Sequence, residues 1–251
     1  RARDQQQRQT HEERQIALWN RTLTRPIRMK MHLTPDPRSR DLRLFCTELT
    51  QLAPMVHILE ENGADTSMPF IELADNLRYS AVPLGPELNP FLQAIAISPD
   101  GTPALSSELQ SKLAEIDQPV QIKLYVAQHC PTCPAVARSI ILLPRSNPLI
   151  HLHIIDAVLF PEAAQSDAVR GVPTVILEDG FRWTGATRIE EIAEVLTSRD
   201  PRRLSASAIE RMLAEGDAPR LARMITAGGA LPPAFINLLT DERFTVRLGA
   251  M

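Results

Sequence analysis

The chain has 251 residues, 44% of them hydrophobic and 23% charged, with a formal net charge of −3. That length allows one large domain or two small ones, and the composition is that of a globular protein, which excludes a disordered chain. No apolar run reaches the ~18 residues of a membrane-spanning helix, three cysteines are too few for a disulfide-stapled secreted scaffold, and the charge balance argues against a strongly cationic nucleic-acid binder. The charge is uneven: residues 1–30 carry 8 basic and 3 acidic side chains, and residues 31–200 carry 12 and 22. This reads as a solvated basic helix ahead of an acidic body. The sequence begins at Arg1 and ends at Met251 within a helical pattern, as a fragment of a longer protein would.

The periodicity predicts these elements in order. Thr10 to Leu23 reads as a helix with Ile16, Ala17, Trp19 and Leu23 apolar, ended by Pro26. Ile27 to Leu33 alternates apolar and polar, as a strand does, and Thr34 to Arg38 is a turn. A helix follows over Asp41 to Met55, with Leu42, Phe45, Cys46, Leu49 and Leu52 on one stripe. Val56 to Glu60 and Phe70 to Leu73 are strands, Arg78 to Val82 reads as a further edge strand, and Glu87 to Ile97 as a helix. The order then repeats: helix Ser106 to Ile116, strand Val120 to Ala127, helix Cys130 to Leu143 ended by Pro144, strand Leu149 to Ile155, helix Phe160 to Val169, strand Thr174 to Leu177, strand Phe181 to Trp183 and helix Arg188 to Leu196. Beyond Asp200 there is no strand pattern, and Ala206 to Glu215, Pro219 to Thr226, Pro233 to Leu239 and Glu242 to Met251 read as short helices.

The two halves are offset by roughly 95 residues, and each reads helix, strand, helix, strand, a hairpin and a final helix. A βαβ unit followed by a hairpin and a helix makes an α/β domain with a mixed sheet flanked by helices. The expected division is residues 10–100, residues 101–199 and an all-α segment at 200–251. Each half is marginal alone, and two packed together share stability. The tail has the paired short helices of an α-solenoid, and the stretch Thr240 to Ala250 resembles the start of a HEAT repeat.

The chemistry concentrates at Cys130-Pro131-Thr132-Cys133, which follows a strand and opens a helix. One helical turn puts residues i and i+3 on one face, so the two sulfurs can close a disulfide. Unpaired backbone N–H groups and the helix dipole favour a thiolate there, and lower its pKa below ~8.5. Cys130 is the natural nucleophile, and Cys133, one turn inward, would resolve a mixed disulfide. Pro131 and Pro134 are placed in the first turn, where a missing N–H costs nothing. A zinc site is the competing reading. Its further ligands would come from Cys46, which sits on an apolar stripe and reads as core, or from His151 and His153, which alternate along one strand. An inert buried pair is a third. Pro173 begins a strand after Gly171-Val172, a position that suits a cis proline. It would bring the Val172 backbone beside Cys130, where an extended substrate segment could pair with it. An ordinary strand-start proline is the alternative.

Strand, His129-Cys130-Pro131-Thr132-Cys133-Pro134, helix, strand, then Gly171-Val172-Pro173-Thr174-Val175 and a hairpin resembles the thioredoxin and glutaredoxin superfamily. The tandem arrangement, with Leu84-Gly85-Pro86-Glu87, is similar to the N-terminal domain of the alkyl hydroperoxide reductase flavoprotein subunit and to the glutaredoxin-like protein disulfide oxidoreductases. The resemblance covers about Thr10 to Arg199. It implies two tandem thioredoxin-like folds, only the second of which keeps the dithiol. Met68-Pro69 matches Val172-Pro173, while Thr34 to Arg38 takes the place of the C-x-x-C and holds no cysteine. It also implies a glutamate from the first fold near the dithiol, here Glu87, able to move the proton when Cys133 attacks and a thiol leaves. A helix N-terminal glutamate is the alternative. The buried acid that thioredoxin carries six residues before its first cysteine is replaced here by Leu124.

No G-x-G-x-x-G occurs, so no dinucleotide-binding domain and no cofactor is expected within the chain. The resemblance implies a cytoplasmic thiol–disulfide oxidoreductase with catalytic Cys130, Cys133 and Glu87, and substrate contacts from Val172, Pro173, Pro131 and Thr132. A separate flavoprotein reductase would supply electrons, and a disulfide protein such as a peroxiredoxin would receive them. No metal, nucleic-acid or membrane partner is expected. The alternative is a non-catalytic redox sensor or scaffold that works through its helical repeats.

Overall fold

The computed structural model describes residues 2–62, 67–96, 105–178, 180–198, 204, 206–214, 216, 218–229 and 231–239. Helix α1 (Ala2–Asn20) precedes β1 (Ile27–Leu33), α2 (Ser39–Leu52), β2 (Val56–Asn62), β3 (Phe70–Ala74), β4 (Leu77–Ser80), a 3-10 turn at Gly85–Glu87 and α3 (Leu88–Ala96). The second half places α4 (Ser107–Ala114), β5 (Val120–Val126), α5 (Cys133–Ile140), α6 (Leu142–Ser146), β6 (Ile150–Asp156), α7 (Pro161–Ser166), β7 (Thr174–Leu177), β8 (Arg182–Thr184) and α8 (Ile189–Ser198). Helices α9 (Ala206–Ala214), α10 (Ala218–Gly228) and α11 (Pro233–Leu239) follow. Residues 240–251, with the whole HEAT-like stretch Thr240 to Ala250 and the helix expected over Glu242 to Met251, lie outside the described residues.

All eight strands form one sheet in the order β2-β1-β3-β4-β6-β5-β7-β8. In each half the first two strands are parallel and the hairpin is antiparallel, so the order of the first four strands is repeated by the second four. The join is β4 with β6, parallel, with Leu77 opposite Leu152 and Ser80 opposite Ile155. The strand expected at an edge is therefore internal. It is an edge only within its own half, and the partner that covers it comes from the other half, which local periodicity cannot reveal.

Strand alternation sorts the two faces. Met29, Met31 and Leu33 of β1, and Val120, Ile122, Leu124 and Val126 of β5, point into a core that runs through both halves under helices α1 to α6 and α8. Helix α2 buries the stripe of Leu42, Phe45, Cys46 and Leu49. Phe91 of α3 meets Phe45 and Tyr79 edge-on, at centroid distances of 5.5 and 5.4 Å, and α3 also packs on α5 across the join. The opposite face carries a smaller cluster of Tyr125, Ile155, Phe160, Ala164 and Ile176 beneath α7. Helix α9 lies on β8. No helix among the described residues is long and apolar enough to cross a membrane.

Several bounds differ from expectation for physical reasons. The helix placed at Cys130–Leu143 starts at Cys133 and breaks after Ile140; Pro144 does not end it but lies within α6. Proline at 144 removes the N–H that would bond the Ile140 carbonyl, so the break falls one turn upstream of the ring. Pro134 is in the first turn as expected, but Pro131 precedes the helix. The helix expected from Glu87 begins as a 3-10 turn, which Gly85 enters at φ +59°. The left-handed backbone there favours glycine.

Candidate functional site

The loop after β5 brings Cys130 to the N-terminal end of α5, and the two cysteines form a disulfide with their Cα atoms 5.4 Å apart. Cys130 is 7% exposed and Cys133 fully buried. The backbone N–H of Cys133 points at Cys130 Sγ from 3.1 Å, and Thr132 Oγ1 lies 3.5 Å from the same sulfur. An N–H at a helix start, free of an intrahelical acceptor, is the group that stabilises a thiolate after reduction. Pro131 and Thr132 are exposed beside it.

The Val172–Pro173 peptide bond is cis. The Val172 carbonyl oxygen lies 3.7 Å from Cys130 Sγ, so the strand-leading segment faces the dithiol. Thr174 Oγ1 closes the turn by donating to the Gly171 carbonyl at 2.7 Å. The loop before it is held by Arg182, a buried cation of β8 that donates to the carbonyls of Asp167 and Ala168. The hydroxyl of Tyr125 donates to the Asp167 carboxylate at 2.6 Å. None of Arg182, Tyr125 or Asp167 stands out in the sequence, because their shared purpose is visible only once β5, β7 and β8 are side by side.

Glu87 comes from the first half, in the 3-10 turn that packs against α5. It is 4% exposed, and neither carboxylate oxygen has a hydrogen-bond partner among the described residues. Burial and then the neighbouring Asp156 carboxylate raise its pKa to about 7, against the opposing pull of Arg138. Asp156 ends β6 and does not stand out in the sequence either. The signal available was an acid closing an otherwise apolar strand, Ile150–Asp156. Leu124, at the position of the thioredoxin acid, is buried in the core. A cleft of ≈ 520 Å³ runs between the two halves beside the site, lined by His129, Asp156, Leu159, Leu84, Phe45 and Glu48 among others.

The alternative ligands stay apart. Cys46 is buried on α2, and burial pushes its thiol up to about 12. Among the described residues no three His, Cys, Asp or Glu side chains stand together as a metal site. His151 and His153 lie along β6, and His153 is instead 2.8 Å from Ser80 Oγ at the join of the two halves.

Comparison with known proteins agrees with this geometry. Residues 120–197 match the thioredoxin domain family model. The chain is 25% identical to the alkyl hydroperoxide reductase protein AhpF of Pseudomonas putida over 184 residues, which cover 71% of this chain and 35% of that protein. It is 24% identical to the AhpF of Staphylococcus aureus over 169 residues, 66% of this chain and 33% of that one. It thus spans about a third of the length of the curated relatives it matches. Among solved structures, the NTD_N/C domain of AhpF from Enterococcus faecalis superposes with a TM-score of 0.63 at 21% identity, covering 73% of this chain and 97% of that one. A protein disulfide oxidoreductase from Aeropyrum pernix superposes at 0.66 and 16% identity, covering 74% and 91%. The chain is therefore built on a pair of thioredoxin-like folds, and it resembles the N-terminal domain of the alkyl hydroperoxide reductase protein AhpF.

Proposed function

We propose that the chain is a protein thiol–disulfide oxidoreductase whose working centre is Cys130 and Cys133. The observation that carries this reading is the sulfur of Cys130, set before a helix start with the Cys133 N–H at 3.1 Å and the Val172 carbonyl at 3.7 Å. In the reduced protein the Cys130 thiolate attacks one sulfur of a partner disulfide, forms a mixed disulfide and releases the partner's other sulfur as a thiolate. Cys133 loses its proton, attacks Cys130 and releases the second partner thiolate; the electron pair of the dithiol has then passed to the partner. Glu87, with its affinity for a proton matched to neutral pH, takes the proton from Cys133 and returns it to a leaving thiolate. Val172 and Pro173 present backbone to an extended substrate segment, flanked by Pro131 and Thr132.

The division into residues 10–100, 101–199 and 200–251 belongs to the same reading, with the last as the start of a HEAT-like array. A flavoprotein reductase reloads the dithiol, and a peroxiredoxin-type disulfide receives the electrons in the cytoplasm; the kinship with AhpF supports both partners. A second reading, a redox-dependent scaffold, is favoured by the exposed apolar residues Leu231, Ile236 and Leu239 on and beside α11. Turnover separates the two. The wild-type chain is expected to catalyse reduction of insulin disulfides by dithiothreitol, and Cys130→Ser to abolish it. Equal rates in the two would refute the oxidoreductase reading.

A further inference from the structure

The first half retains the outline of a dithiol site without the thiols. Helix α2 begins at Ser39 as α5 begins at Cys133, and Pro37 stands where Pro131 stands, so Asp36 and Ser39 occupy the places of the two cysteines. The Arg38 N–H, one position ahead of the counterpart of the Cys133 N–H, donates to Asp36 Oδ1 at 2.8 Å, and the Ser39 N–H donates to the Asp36 carbonyl at 3.0 Å. The Arg38 side chain then leaves its own half. Its Nε bonds Asp36 at 2.8 Å, its Nη1 donates to the Leu159 carbonyl at 2.8 Å, its guanidinium lies 4.2 Å over the ring of the buried Phe160, and its Nη2 pairs with Glu162 at 2.6 Å. The last three partners all belong to the segment that follows β6. A planar fork can bond a carboxylate, bond a carbonyl and stack on a ring at once, which an ammonium cannot.

That segment is tied to the candidate acid. The N–H groups of Val158 and Leu159 donate to Asp156 Oδ1 at 2.8 and 3.1 Å, which orients the carboxylate facing Glu87. We propose that Arg38 is a positioning residue that, from the vacated dithiol site of the first half, clamps residues 156–160 and through them holds the Asp156 carboxylate in place as the neighbour of Glu87. The proposal rests on the reading of Glu87 as the acid of disulfide exchange. The charged and titratable groups around Glu87 are Asp156 from β6, Arg138 from α5 and Tyr79 from β4. Loosening 156–160 lets Asp156 turn toward water and weakens its effect on Glu87, so the Glu87 proton should be lost at lower pH.

The test uses the full chain with Arg38→Lys and Arg38→Met, the lysine variant keeping charge and most of the volume should the methionine variant not fold. Two readouts need no activity: hydrogen exchange at the Val158 and Leu159 amides, and titration of the Glu87 carboxyl by NMR. Exchange about tenfold faster at both amides, with the Glu87 midpoint lowered by about half a pH unit or more, supports the clamp. Unchanged exchange in a folded variant overturns it, as does faster exchange with an unmoved Glu87 midpoint. The rate of insulin reduction against pH is recorded alongside. If the wild type shows no Cys130-dependent reduction, the functional reading fails, while the clamp is still decided by the two spectroscopic results.

Discussion

At Glu87 burial sets both stability and chemistry. An isolated carboxyl in an apolar surround keeps its proton, since ionisation there lacks solvation. With its pKa raised to about 7 in the folded chain and near 4.5 when unfolded, the native state holds one more proton than the unfolded state between those values. The contribution of this one group to stability therefore falls as pH rises from about 4.5 to 7, by an amount on the order of 3 kcal/mol, and is level above that. Glu87→Gln is expected to remove this slope and to gain stability relative to the wild type at pH 8 but not at pH 4.5, read from denaturant unfolding at the two pH values. Cys46 shows the opposite use of burial. Its thiol, pushed up to about 12, is not a nucleophile at neutral pH. Mass spectrometry of the reduced native chain after brief alkylation at pH 7.5 is expected to find Cys130 modified and Cys46 untouched until the chain is unfolded. The apolar stripe on α2 made Cys46 legible as core from sequence. Glu87 was legible only by resemblance, because nothing local to Leu84-Gly85-Pro86-Glu87 says what will cover it.

At the scale of elements, the informative pair is β4 and β6. Their contact includes Ser80, fully buried, whose hydroxyl lies 2.8 Å from both the Pro69 carbonyl and His153 Nε2. Burial, followed by the charges of Arg78 and Lys123, lowers the His153 pKa to about 4. The unfolded chain takes up a proton at His153 near pH 6.5 that the folded chain refuses until about 4, so the contribution of His153 is lost as pH falls through this window and opposes that of Glu87. His153→Gln keeps an N–H at a similar reach and has no charge to gain. It is expected to flatten the acid limb between pH 6.5 and 4 in thermal unfolding; an identical limb would show that other groups govern it. The strands themselves were legible, because β1, β5 and β6 alternate cleanly. Which edges meet was not, since parallel pairing across the join leaves no mark in either strand's own pattern.

Across the whole molecule, a core continuous through both halves ties their stability together. Phe91, fully buried, touches Phe45 and Tyr79 on a helix that also packs against the dithiol helix α5. Phe91→Ala is expected to cost about 3–5 kcal/mol, and the loss should appear in both halves. Trp19 lies in the first half and Trp183 in the second, so variants keeping one tryptophan each report on one half. Their denaturant transitions are expected to coincide, in the wild type and in Phe91→Ala alike; separated midpoints would mean that the halves unfold independently.

The residue order alone determined the alternation of strands, the apolar stripes of the helices, the doubled βαβ-hairpin plan and the place of a dithiol ahead of a helix, because each depends on neighbours within a few positions along the chain. Tertiary structure decided the join of β4 to β6, the reach of Arg38 into the second half and the burial of Asp156 beside Glu87. All three depend on groups far apart in sequence, whose desolvation and hydrogen bonding exist only after the two sheets have become one.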